Sequence, residues 1–290
     1  MSDQKQTDLI HYTDSGALYG KPGLDLLLVE TLHCRAVIAK QGAQLLEFRA
    51  SNREPLLWLS PKALFEPGKS VRGGIPLCLP WFGDNRVDPT RPKHGLVRAK
   101  TWELAGVKEL PRGEIELVFT YCHGGNALFS TAFLCEVTMI LGRELDLQLR
   151  LENRGDESAE FSWAWHTYYA VDDVREVEVR GLENCEFLDK TRGLRRFTQE
   201  GVLTFPGEVD RVFENAPAQQ QIATRAPIES HSENCHSVIA WNPGAELAAT
   251  LADVGEHYRE YVCVEHGNAF ANSWQLAPGE MASAALRLAR

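Results

Sequence analysis

Apolar and polar residues alternate along much of this chain with a period of two. The clearest case is Leu145, Leu147, Leu149 and Leu151, separated by Asp146, Gln148 and Arg150 and flanked by Glu144 and Glu152. Ile115, Leu117, Phe119 and Tyr121 repeat the pattern, and Phe133 to Leu141 precedes the leucine run across Gly142-Arg143. Successive side chains of a strand point to opposite faces, so these runs predict half-buried strands, with a hairpin turn at Gly142-Arg143. Further strands are predicted over Leu24–Leu32, Gln44–Ala50, Phe161–Ala170, Val174–Val179, Val238–Trp241, Leu247–Leu251, Tyr261–Glu265 and Met281–Leu288. No long stripe of helical period competes with them. Many short strands joined by Gly, Pro, Asn and Asp predict an all-β fold, a large antiparallel sandwich. No linker interrupts the pattern, so residues 1–290 are expected to form a single domain.

Composition narrows the class. With 44% hydrophobic and 24% charged residues the chain is of the soluble globular kind. A net charge of -10 makes it a poor general binder of nucleic acid or anionic membrane, since both repel it. The opening MSDQKQTDLI lacks the apolar core of a signal peptide, and no run approaches the length of a membrane span. Seven scattered cysteines, an odd number without a CxxC pair, point to reduced thiols in the cytoplasm, not to a disulfide framework or zinc site. Cys263 is read as core packing.

Two apolar runs are broken by titratable groups. His166 sits in Trp163-Ala164-Trp165-His166-Thr167-Tyr168-Tyr169, and Glu265 in Tyr261-Val262-Cys263-Val264-Glu265-His266-Gly267-Asn268. Lone polar groups in apolar strands cost free energy unless they are paired or open into a cleft. A core histidine and a strand-end glutamate facing water would satisfy this. So would a general acid and general base on opposite sides of one substrate.

A third segment stands out by charge. Between Lys69 and Lys100 lie Lys69, Arg72, Arg86, Arg91, Lys93, Arg98 and Lys100, opposed only by Asp84 and Asp88. Arginine forks suit a phosphate or carboxylate, and the adjacent Gly73-Gly74 would let backbone approach a ligand closely. A solvated basic loop would carry the same charge. The glycine pair is not a P-loop, because GxxxxGK[ST] is absent.

The ordered set VRGGIPLCLPWFG, KHGLVR, WHTYYAV, DRVF and VCVEHGN resembles the aldose 1-epimerase superfamily, most closely its hexose-6-phosphate mutarotase branch. The resemblance runs from about residue 30 to the C-terminus. It implies a galactose-mutarotase-like β-supersandwich, with the first residues, up to about position 20, as a peripheral arm. It also implies an isomerase that needs neither cofactor nor metal. By motif, His166 and Glu265 match the catalytic pair. Arg72, Arg98 and Asp210 match substrate-binding residues, and His94 is expected in the pocket. Lys93 stands where the family commonly has glutamine, which adds positive charge where a phosphate would lie.

The function implied is the interconversion of α and β anomers of a hexose 6-phosphate, glucose 6-phosphate favoured. A mutarotase of free hexoses and a sugar-phosphate-binding regulator without catalysis are the alternatives. A cupin-like metal protein is more distant, as no compact ligand cluster is visible. The partner expected is a small sugar phosphate, not nucleic acid or membrane, bound by a monomer.

Overall fold

A computed structural model describes residues 9–290, and strand pairing in its sheets is antiparallel throughout. Among the described residues, one sheet has nine strands, a second has eight and a third, N-terminal one has four. The nine-stranded sheet contains the alternating runs. Leu117, Met139, Leu147 and Leu286 stand in register across four neighbouring strands, and Phe119, Val137, Leu149 and Ala284 form the adjacent row. All eight are buried. Burying each larger side chain contributes roughly 1.5–3 kcal/mol, so the two rows alone anchor this sheet to the layer beneath. Leu141 pairs with Leu145 across the turn at Gly142, as the sequence predicts.

The opposing layer is the eight-stranded sheet. Its order runs Arg195–Thr198, Glu186–Asp189, Val209–Glu214, Ser237–Asn242, Tyr261–Asn268, Trp163–Trp165 and Leu77–Cys78, with Tyr168–Ala170 also paired to Tyr261–Asn268. Phe213, Val238, Ala240, Val262, Val264, Trp163 and Trp165 face the nine-stranded sheet within one hydrophobic cluster. The alternate positions Asp210, Trp241, Cys263 and Glu265 therefore lie on the other face. One set of strands supplies both the core and a polar outer surface.

Three sequence expectations change. Leu247–Leu251 is not a strand: Gly244–Ala248 is a short helix followed by turn. Pro243 and Gly244 break the preceding strand, and Ala-Glu-Leu-Ala favours helix. Val174–Glu176 is a 3-10 turn capped by the Asp173 side chain on the Arg175 N–H, so its strand begins only at Glu178. Phe161–Ala170 is broken into Ala159–Phe161, Trp163–Trp165 and Tyr168–Ala170. The peripheral arm expected at the N-terminus falls partly outside the described residues. From Ile10 to Asp14 the chain is a strand paired with Asp25–Glu30. Among the described residues no helix is long and apolar enough to cross a membrane.

His266 ties the two large sheets together. Its Nε2 lies 2.8 Å from Gln220 Oε1 across the core, and burial lowers its pKa to about 4. The folded protein thus keeps His266 neutral while the unfolded chain takes up a proton below its ordinary pKa of about 6.5. Stability should fall as pH drops from about 6.5 towards 4, by up to roughly 3 kcal/mol from this residue. His266→Gln retains a donor for Gln220 but cannot titrate. Urea unfolding between neutral and mildly acidic pH should show a shallower loss of stability in this variant. An unchanged slope would remove His266 from the account.

Candidate active site

His166 and Glu265 meet because two strand segments share one register. Trp163 pairs with Asn268, Ala164 with Gly267 and Trp165 with His266, and beyond a break Tyr168 pairs with Cys263. Continuing that register places His166 opposite Glu265. Gly267 permits it: a Cβ there would stand 2.1 Å from the Trp163 carbonyl oxygen. Beyond Trp165 the His166 N–H donates to the Pro76 carbonyl, continuing the register of Trp163–Trp165 on Leu77–Cys78. His166 Nε2 lies 3.4 Å from Glu265 Oε1, and both residues are buried. Glu265 Oε2 and His166 Nδ1 have no hydrogen-bond partner.

Aromatic rings fix the imidazole. His166 stacks on Tyr168 at 4.8 Å with 10° between planes, and Trp241 and His94 each meet it edge-on. Arg72 holds Tyr168 from behind, donating from Nη1 to the phenol oxygen at 2.9 Å and from Nε to Asp253 Oδ2 at 3.0 Å. His94 has φ +65° and accepts at Nδ1 from the Gly83 N–H at 3.2 Å. Its neutral ring therefore carries the proton on Nε2.

Cations surround the pair, and their partners differ. Arg72 faces Asp253. Lys93 Nζ is 3.9 Å from Asp84 Oδ1, and Lys190 Nζ is 2.7 Å from Asp210 Oδ2. Arg98 donates to the Lys93 carbonyl oxygen at 2.6 Å and, among the described residues, forms no ion pair. Burial pushes the Glu265 carboxyl well above the usual range, with Lys190 opposing most strongly and Asp210 reinforcing. Burial pushes His166 well below its ordinary value, aided by Arg98 and Arg72. Both shifts favour the uncharged forms.

All seven residues expected from sequence are thus accounted for. His166, Glu265, His94 and Asp210 gather on the outer face of the eight-stranded sheet, with Arg72, Arg98 and Lys93 around them. Added Cβ atoms at Gly73 and Gly74 would meet the Trp58 and Leu45 carbonyl oxygens at 2.5 and 2.1 Å, so the pair packs backbone on backbone. Sequence reasoning missed Lys190, Tyr168 as the support of His166, and Asp253 as the partner of Arg72. Cys263 packs with Trp58, Tyr168 and Tyr261, as read from sequence. Among the described residues it forms, with His166 and Glu265, the one triple of donors, all within 4.8 Å, that could hold a metal. Burial keeps its thiol protonated, which disfavours ligation. A separate hollow of about 270 Å³ lies on the far side of Phe82, lined by Trp81, Arg86, Arg91 and Phe270.

The fold is that of the mutarotases. It aligns with the crystal structure of a Salmonella typhimurium "putative mutarotase" at TM-score 0.83 and 28% identity, over 92% of this chain and 90% of that one. A galactose mutarotase-like protein from Clostridium acetobutylicum aligns at TM-score 0.73 and 13% identity over 96% and 97%. The aldose 1-epimerase family model matches residues 25–289, and the chain belongs to that family. Relatives from Cenchrus ciliaris and Escherichia coli are each 32% identical, over 86% and 87% of this chain and 79% and 85% of their own. Both are named "Putative glucose-6-phosphate 1-epimerase". The chain is an epimerase that interconverts anomers.

If His166 and Glu265 are its acid and base, Glu265→Gln and His166→Asn should each lower anomer exchange by about 10²–10⁴-fold while the fold survives. Exchange measured by NMR on pure α-anomer tests this, and near-normal rates in a folded variant would sink the assignment. Dialysis against a chelator should leave the rate unchanged. Loss of activity restored by a divalent cation would reopen the His166–Cys263–Glu265 triple as a metal site.

Proposed function

We propose that this protein interconverts the α and β anomers of a hexose 6-phosphate, glucose 6-phosphate favoured, in the cytoplasm and without a cofactor. The observation that carries the phosphate is Arg98. Of the four cations around the buried pair it alone lacks a carboxylate partner among the described residues, in a chain whose net charge is -10. An unpaired guanidinium gains charge-assisted, often bidentate bonds from a phosphate. The names of the two 32% identical relatives support the same substrate. All seven cysteines are free, as a reducing compartment would leave them.

The chemistry moves one proton through the sugar. Glu265, as carboxylate, takes the proton from the C1 hydroxyl, and His166, as imidazolium, gives one to the ring oxygen. The C1–O5 bond breaks and C1 becomes an aldehyde. Rotation about C1–C2 presents its other face. On closure His166 recovers the proton from O5 and Glu265 returns one to O1. The closed-ring complex therefore uses the ion-paired arrangement of the two residues and the open chain uses the neutral one. Their total proton count stays the same throughout. A phosphate on Arg98 also cancels one of the two guanidinium charges that keep His166 unprotonated. The group that anchors the substrate thereby eases a proton onto the acid. Asp210 holds sugar hydroxyls, and His94 lines the pocket. The same features weigh against a free-hexose mutarotase, which has no use for Arg98. A regulator that only binds needs no acid–base pair.

Arg98→Ala should raise KM for glucose 6-phosphate by roughly 10- to 1000-fold, the scale of a broken desolvated charge contact. Turnover of free glucose, if measurable, should change far less, and Arg98→Lys should rescue only partly, because it keeps charge without the fork. Arg72→Ala should instead impair both substrates, since Arg72 supports Tyr168 and is already paired. Equal losses on both substrates in Arg98→Ala would put the free-hexose reading ahead.

A further inference from the structure

Lys190 lies outside every motif that pointed to the site. It opens a 3-10 turn, Lys190–Arg192, that follows the Glu186–Asp189 strand, and the Asp189 side chain accepts from the Thr191 N–H to fix that turn. Its ammonium sits 2.7 Å from Asp210 Oδ2 and 5.8 Å from the centroid of the Phe82 ring, and its side chain is only 21% exposed. Phe82 in turn meets His94 edge-on at 5.0 Å. Asp210 Oδ1 and Glu265 Oε2 are both buried without a partner among the described residues. Two carboxyl groups with free oxygens thus share one polar face, and Lys190 is the cation bonded to one of them.

We propose that Lys190, held between Asp210 and the Phe82 ring, is a positioning residue for anomer exchange: it fixes Asp210 through Oδ2 so that Oδ1 stays free for the sugar, and it supplies the positive charge that lets Glu265 exist as a carboxylate in the closed-ring complex. This rests on the acid–base roles proposed for Glu265 and His166. The second part follows from what surrounds Glu265. His166 faces it across the strand register. From the remaining elements come Asp210, Lys190, Arg98 and Lys93, with the neutral Cys78, Tyr168 and Cys263 close by. Burial and Asp210 both oppose ionisation of Glu265, and among the charges that favour it Lys190 is the strongest. Arg98 is the cation a bound phosphate would neutralise, and Lys93, held by Asp84, acts on Glu265 more weakly than Arg98 or Lys190. Lys190, pinned to Asp210, keeps its charge when substrate binds. It is the strongest cation left to stabilise the base at the moment the base is used.

The test is a charge-balance series: Lys190→Gln, Lys190→Arg, Asp210→Asn and the double variant Lys190→Gln/Asp210→Asn. In protein labelled with ¹³C at the glutamate carboxyls, Glu265 is assigned by its loss in Glu265→Gln and titrated in each variant. Removing the cation should move its titration up by about one pH unit. Asp210→Asn should move it down, and the double variant should return it close to wild type. Under saturating glucose 6-phosphate, Lys190→Gln should lower kcat at neutral pH by about tenfold and move both flanks of the pH–kcat profile upward. Lys190→Arg should restore most of both. A Glu265 titration that does not move in Lys190→Gln, or a fall in kcat with an unshifted profile, would overturn the proposal and leave Lys190 a structural tie. If the titration shifts as stated but kcat is unaffected, the acid–base assignment of Glu265 fails instead, and with it the use proposed for Lys190.

Discussion

An imidazole and a carboxyl 3.4 Å apart, withdrawn from water, set the terms for the rest of this structure. Neither group gains from burial. Each is driven towards its uncharged form, and an unpaired buried charge would cost several kcal/mol. The surroundings are arranged to make the pair tolerable and usable. Tyr168 supports the ring face, Trp241 and His94 border it, and a set of cations offsets the carboxylate.

The site and the core are two faces of the same strands. In Tyr261–Asn268, Val262, Val264 and His266 point inward to the other large sheet, while Cys263 and Glu265 point to the cleft. A one-residue slip would exchange the two sets. The geometry of the His166–Glu265 pair is therefore tied to the packing of the sandwich, with no separate scaffold between them. The same burial that holds the sheets together fixes both side chains.

Charge in this protein is sorted by partner, not by amount. Arg72, Lys93 and Lys190 each have an acid within 4.0 Å, and among the described residues Arg98 has none. A count of basic residues along the sequence treats them alike. In the folded molecule the paired cations orient neighbouring side chains, and the unpaired one is free to meet an anion. An acidic chain can in this way present a local site for a phosphate without becoming generally attractive to polyanions.

The sequence by itself determined the sheet-forming pattern, the interruptions at His166 and Glu265, the basic window, and a family resemblance that the family match confirms. These are local or ordered along the chain: period two follows from strand geometry, and motifs are read residue by residue. Strands with clean alternation, such as Leu145–Asn153, are recovered. Segments whose fate depends on caps and breaks are not, as Leu247–Leu251 shows, where Pro243 and Gly244 redirect an apolar stretch into a helix. What only the tertiary structure decided is pairing at long sequence separation. Nothing near Lys190 announces Asp210 or Glu265, nothing near Arg72 announces Asp253, and nothing beside the glycine pair announces the Trp58 and Leu45 carbonyls it packs against. The physical reason is that burial and electrostatic partnership are properties of position in space. A lysine on a turn and a lysine against a buried carboxylate have the same letter, and only the register of distant strands tells them apart.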